Sequence, residues 1–234
     1  MSKALIKLVP LAVCGALLAG CASQSPEQTP DQGLTAPPAP VAVQAVVSPA
    51  NAGDGKAPVA SAAPVAPAPV LPPALQQEMD AAAQLLMAGQ KDKALAKYTA
   101  VQQAAPQHVS AWLNAALIKR EQKKLDEALA LIESALKQRP NEARALTLKG
   151  VVLREQGKIA DAKAAYLAAI KADESYAPAH RNLAVLADLY LDDPVLALQH
   201  MERYAALVGD DKQVNSWVSE LRRRAQAKPA GGGQ

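Results

Sequence analysis

The sequence predicts an all-α protein, a solenoid of about four helix-turn-helix repeats closed by one capping helix. Composition is the first reason. The chain has 234 residues, no Phe, and only 3% aromatic residues. Strands draw on Val, Ile, Tyr, Phe and Trp, whereas Ala, Leu, Lys, Gln and Glu, the strong helix formers, dominate after Leu75. Periodicity is the second. Ala94, Tyr98, Val101 and Pro106 are followed by Ala128, Ile132, Ala135 and Pro140, and then by Ala162, Tyr166 and Ala169, at a step of about 34 residues. The third is punctuation: Pro106 and Pro140 each stand where a helix must stop, because Pro cannot continue one and restrains the residue before it.

Residues 1–20 read as an export segment. Lys3 and Lys7 form a basic start, and Leu8 to Ala19 is apolar. That length fits a signal-peptide core and is short for a membrane span. The segment runs into Leu18-Ala19-Gly20-Cys21, which resembles the lipobox of bacterial lipoproteins. The resemblance implies cleavage before Cys21, lipid on its thiol and acylation of the new amino group. Ala22 stands where Asp would imply retention in the inner membrane, so the resemblance implies a lipid anchor in the outer membrane facing the periplasm. The mature chain would keep one Cys, the lipidated one. A folded domain without a thiol excludes disulfides, Cys-metal sites and a Cys nucleophile.

From Cys21 to Pro73 the chain is rich in Pro, Ala and Val, with a Gly-containing joint at Asn51–Gly55. Each Pro removes a donor and fixes φ, so neither helix nor sheet propagates. This stretch is expected to be a disordered, locally extended spacer, reaching on the order of 150 Å when extended and roughly 40 Å as a coil.

The repeats are expected at 74–108, 109–142, 143–176 and 177–210. Trp112, Ala115 and Ala116 in the second unit answer Leu146, Lys149 and Gly150 in the third and His180, Leu183 and Ala184 in the fourth. The turn inside each unit shows as Gly89–Asp92, Gln122–Asp126 and Gln156–Ile159. Small residues such as Ala128 and Ala162 let the second helix of a unit lie close on the first, while Ile132 and Tyr166 fill the space between units. The fourth unit diverges. It carries Asp192-Asp193-Pro194 and needs about one extra residue to align Ala197 and Met201, with the Asp pair as a cap and Pro194 in the first helical turn. Over 211–226, Val214, Trp217, Val218 and Leu221 share one helical face, the pattern of a helix covering the last apolar surface. Residues 227–234 are a Gly-rich tail, expected to fray.

This pattern, spanning about Leu75 to Gly209, resembles the tetratricopeptide repeat (TPR). The resemblance implies a concave groove, lined by the first helix of each unit, that binds a peptide segment or a partner helix. The matching positions are Asn114, Leu117, Arg144, Val151, Arg181, Asn182 and Val185. Arg144 and Arg181 would offer charge, Asn114 and Asn182 amides, and the apolar positions would suit a partner helix.

Other chemistry finds little support. His108, His180 and His200 are far apart in sequence and lack an i, i+4 ligand spacing, so no metal site is expected. There is no Gly-x-Ser-x-Gly elbow and no nucleophile–base pair, so neither catalysis nor a cofactor is expected. The formal charge of +3 is spread without a basic stripe, which argues against nucleic acid. The expected role is a membrane-anchored periplasmic scaffold that holds a protein or peptide partner for pilus, secretion or outer-membrane assembly. The alternative is a cell-wall adaptor that regulates a peptidoglycan enzyme or binds peptidoglycan.

Overall fold

A computed structural model describes residues 70–227. The expected signal segment, Cys21, the expected spacer up to residue 69 and the last seven residues lie outside the described residues. The described residues form nine α-helices and no strand. Eight pair as hairpins: α1 (Pro73–Met87) with α2 (Lys91–Ala104), α3 (Val109–Glu121) with α4 (Leu125–Gln138), α5 (Ala143–Glu155) with α6 (Ile159–Ala172), and α7 (Ala177–Tyr190) with α8 (Pro194–Val208). The ninth, α9 (Lys212–Ala227), packs on α8. Each helix touches its neighbours in sequence, and the first helices of successive hairpins also touch, α3 with α5 and α5 with α7. This is the nearest-neighbour stacking of a solenoid.

The repeating residues are the core. Ala94, Ala128, Ala162 and Ala197, on the second helix of each hairpin, are fully buried. So are the larger residues one turn later, Tyr98, Ile132, Tyr166 and Met201. Opposite these sit Ala82, Ala116, Gly150 and Ala184 on the first helices, all buried. Small against large within each hairpin is what lets two helices approach at close-packed density. Tyr166 also reaches Leu183 and Leu186 of the next hairpin in one cluster, so it packs both within and between units.

Two details depart from the expectation. The folded part begins before residue 74. Leu71 is buried in the first core cluster, and Pro73 already opens α1, where its missing N–H costs nothing. The last residues of the expected spacer therefore belong to the domain. The extra residue of the fourth unit lies at the end of its first helix: α7 has 14 residues where α3 and α5 have 13. The longer turn is held by Asp192 at φ 47° and by the Asp193 amide bonded to the Ala187 carbonyl at 2.9 Å. The Asp193 side chain then accepts from the Leu196 amide at 3.0 Å, the N-cap bond the sequence implied.

The turn of each hairpin needs one residue in the left-handed region. Gly89 and Gly157 supply it in the first and third units. In the second, Lys123 takes φ 61° instead, so the αL position is kept without glycine.

Candidate functional site

The first helices of the second, third and fourth hairpins, α3, α5 and α7, lie side by side. Side chains one repeat apart tie them together. Arg144 Nη2 on α5 donates to Ser110 Oγ on α3 at 2.9 Å. Arg120 Nε on α3 donates to Glu155 Oε1 on α5 at 2.7 Å. Arg154 Nη1 on α5 donates to the Tyr190 hydroxyl on α7 at 3.1 Å, with its guanidinium 5.6 Å from the centre of that ring. The next rung is Asp188 of α7, which accepts from Arg224 and from Trp217 Nε1 of α9. Arginine suits this role because its planar fork can bond a neighbour and still present further donors.

The structure distributes the seven expected groove residues unevenly. Leu117, Val151 and Val185 are core residues, each almost fully buried in a different cluster. They support the face and do not line it openly, because the first helices pack closely enough to cover them. Asn114 is buried with its side chain bonded to Tyr98, and Asn182 donates to the Pro178 carbonyl at 2.8 Å. Both amides thus serve the fold, although Asn182 Oδ1 stays buried without a hydrogen bond. Arg181 is 7% exposed; burial pulls its pKa down while Tyr204 opposes this. Its charge is not openly offered. Arg144 is the one charged member of the set that reaches an open space. It lines a groove of about 290 Å³ with Arg139, Asn141, Glu142, Asp173 and Tyr176, at the turns that join the second to the third and the third to the fourth hairpin.

Sequence reasoning missed Arg120, Glu155, Arg154, Tyr190 and Asp188. A signal existed: Arg120, Arg154 and Asp188 recur at the same step of about 34 residues as the core. Several polar atoms of α5 are buried without a hydrogen bond to the protein, among them Arg144 Nε, Thr147 Oγ1 and Arg154 Nε. Such an atom costs about 1–3 kcal/mol unless something else bonds it. The Tyr166 hydroxyl lies beside Arg154, and burial pushes its pKa up to about 12 against the opposing charge of Arg154. It is therefore a neutral group at any working pH.

The histidines behave differently from the expectation. His180 on α7 and His200 on α8 face each other, both buried, with their Nδ1 atoms 3.1 Å apart. His180 Nε2 lies 3.1 Å from the Glu174 carbonyl oxygen, an acceptor. The consistent assignment has His180 protonated on Nε2 and accepting at Nδ1 from the Nδ1–H of His200. Both rings are then neutral. Burial holds the pKa of His180 down, aided by Arg203 and opposed by Glu174 and Asp173. Burial and the facing His180 bring that of His200 from 6.5 to about 4. Two residues do not make a metal centre, and no group of three or more metal-ligating side chains occurs among the described residues.

The pair makes stability pH-dependent. Unfolding raises the His200 pKa, so the unfolded chain binds the proton first. Stability is full above about pH 6.5, falls as the pH drops toward about 4, and levels below that, by on the order of 3 kcal/mol for His200. Urea unfolding between pH 4 and 8 should show this loss, and His200→Leu should flatten the part of the curve above pH 5. Equal slopes in both proteins would remove the pair as its cause.

Among the described residues, no helix is long and apolar enough to cross a membrane. The family profile described as a tetratricopeptide repeat-like domain matches residues 41–188. No curated protein matches the chain significantly. Solved structures share the fold. The structure titled for functional characterisation of Pseudomonas aeruginosa pilF superposes with a TM-score of 0.59 at 20% identity, over 66% of this chain and 70% of that one. The tetratricopeptide repeat protein TTC0263 of Thermus thermophilus gives 0.52 at 20% identity, over 65% and 87%. The MamA protein gives 0.54 at 17% identity, over 65% and 82%.

Proposed function

Because the chain belongs to the tetratricopeptide repeat-like family, we propose that it is a binding scaffold whose first-helix face holds a protein or peptide partner. The observation that carries this reading is Arg144, which faces an open groove at the turns between hairpins while Arg120 and Arg154 are spent on holding neighbouring first helices together. A partner that supplies carbonyl or carboxylate oxygens would meet the Arg144 charge in that groove. The point of entry is the groove at Arg144. Proteins of this fold generally work by binding partners, so the role proposed is recognition.

The tether is the second part of the proposal. Lys3, Lys7, the apolar run to Ala19 and the Leu18-Ala19-Gly20-Cys21 motif support export and lipidation at Cys21. The Pro-rich stretch after it would carry the domain clear of the membrane, with outer-membrane anchoring on the periplasmic side and a role in envelope assembly as the expected setting. Anchoring by more than one acyl chain is stable because each buried CH₂ contributes about 0.8 kcal/mol.

Two variants test the two parts separately. Cys21→Ser should move the protein from the membrane fraction to the soluble fraction of the envelope; retention in the membrane would overturn lipid anchoring there. Arg144→Ala breaks only the bond to Ser110 and should leave the fold intact by circular dichroism. It should lower recovery of the co-purifying partner at least about tenfold, the effect of losing one charge-assisted contact. Undiminished recovery would remove the Arg144 groove from the binding face.

A further inference from the structure

The second helices of the hairpins turn their outer faces to solvent, and α6 differs from its neighbour. The exposed side chains of α4 include Asp126, Glu127, Glu133 and Lys137, an ordinary solvated face. On α6 the exposed set is Ala160, Asp161, Ala164, Leu167, Ala168 and Lys171, apolar at the centre and charged at the two ends, with Lys163 half-buried beside it. Leu167 is 43% exposed. Beside this face an open groove of about 440 Å³ runs between α4 and α6, with Leu129 and Glu133 on one wall, Asp161 and Ala164 on the other, and Lys149 and Leu153 of α5 beneath, Lys149 paired with Glu133.

The charges on α6 say what fits. Asp161 and Lys171 make no ion pair or hydrogen bond with any described residue. They stand five residues before and after Tyr166, and Ala164 and Ala168 stand two before and after it. A helix with this symmetry is complementary to itself when reversed. In an antiparallel pair centred at the level of residue 166, Asp161 of each copy faces Lys171 of the other, and Ala164 faces Ala168. Each contact occurs twice, as a two-fold interface requires. The small central side chains allow the axes to come within about 8 Å. The flanking charges fix direction and register.

We propose that the outer face of α6 is a self-association surface on which a second copy of this chain docks antiparallel, Asp161 against the second copy's Lys171 and Ala164 against its Ala168. The α6 face shares no residue with the groove at Arg144, so self-association leaves that groove open. Docking covers Leu167 and closes the open side of the groove between α4 and α6.

Sedimentation equilibrium of the full-length chain in density-matched detergent tests this. The wild type should weigh twice the mass of its monomer. Asp161→Lys alone sets Lys against Lys in both contacts, and Lys171→Asp alone sets Asp against Asp, so each should raise the dissociation constant at least about tenfold. Neither side chain has a bond to lose within its own chain, so circular dichroism and melting should not change. Mixing the two single variants should restore a dimer containing one of each, and the double variant Asp161→Lys/Lys171→Asp should restore the homodimer. A monomeric wild type at about 100 µM would overturn the proposal. So would a dimer that tolerates both single reversals, or single variants that fail to pair when mixed. Either of the last two results would place a dimer on another face.

Discussion

Replacing Asp188 by Ala is expected to release α9 from the end of the stack. The Asp188 side chain is only 4% exposed, and it accepts from both Trp217 Nε1 and Arg224 Nη1. Its removal leaves a buried indole N–H without an acceptor and a guanidinium without its counter-charge. Breaking a buried pair by deleting one member costs about 3–5 kcal/mol, and Arg224, at 35% exposure, regains some water, so roughly 3 kcal/mol is expected here. Because a solenoid's stability is local, the loss should concentrate in α9. Amide exchange there should speed up about a hundredfold while α3 and α5 change little. Asp188→Asn keeps an acceptor for Trp217 and should lose less. Unchanged protection of α9 in the Ala variant would mean that Trp217, Val218 and Leu221 hold it by packing alone.

Gly150→Ala is expected to cost nearly as much for a different reason. A Cβ at residue 150 would lie 2.6 Å from Tyr166 Cδ1 and 2.9 Å from Cζ, inside the ring's contact surface. Tyr166 is fully buried between α5 and the next hairpin, so it has nowhere to go. Overpacking of this kind costs about 1–3 kcal/mol, with a fall in melting temperature of several degrees. The second hairpin shows the remedy, since it seats Ala116 opposite Ile132. Gly150→Ala/Tyr166→Ile rebuilds that pairing and should recover part of the loss. A double variant less stable than the sum of the single ones would show that the two positions are not complementary in this way.

The same pair shows why the fold was legible in the sequence. Packing of one hairpin is decided by residues close together in the chain, so Ala94, Ala128 and Ala162 announce themselves by recurrence, and each is fully buried. Turn chemistry was legible for the same reason, even where Lys123 stands in for glycine. The binding face was not. Whether a first-helix position is open or covered depends on how closely α3, α5 and α7 approach one another, and no single repeat encodes that distance. Hence Leu117, Val151 and Val185 looked like lining and are core, while Arg120 and Arg154, which carry the contacts between hairpins, drew no reading at all. His180 and His200 were missed because a search for ligand spacing within one helix cannot see two rings that meet across a turn.

The most direct test of the scaffold reading is capture in place. A photo-reactive side chain at Asn141, exposed at the rim of the Arg144 groove, is compared in the native envelope with one at Gln103, exposed on the outer side of α2. The account predicts that Asn141 captures one envelope protein, that Gln103 does not, and that Arg144→Ala abolishes the capture. Equal capture from both positions, or capture from Asn141 that survives Arg144→Ala, would contradict it.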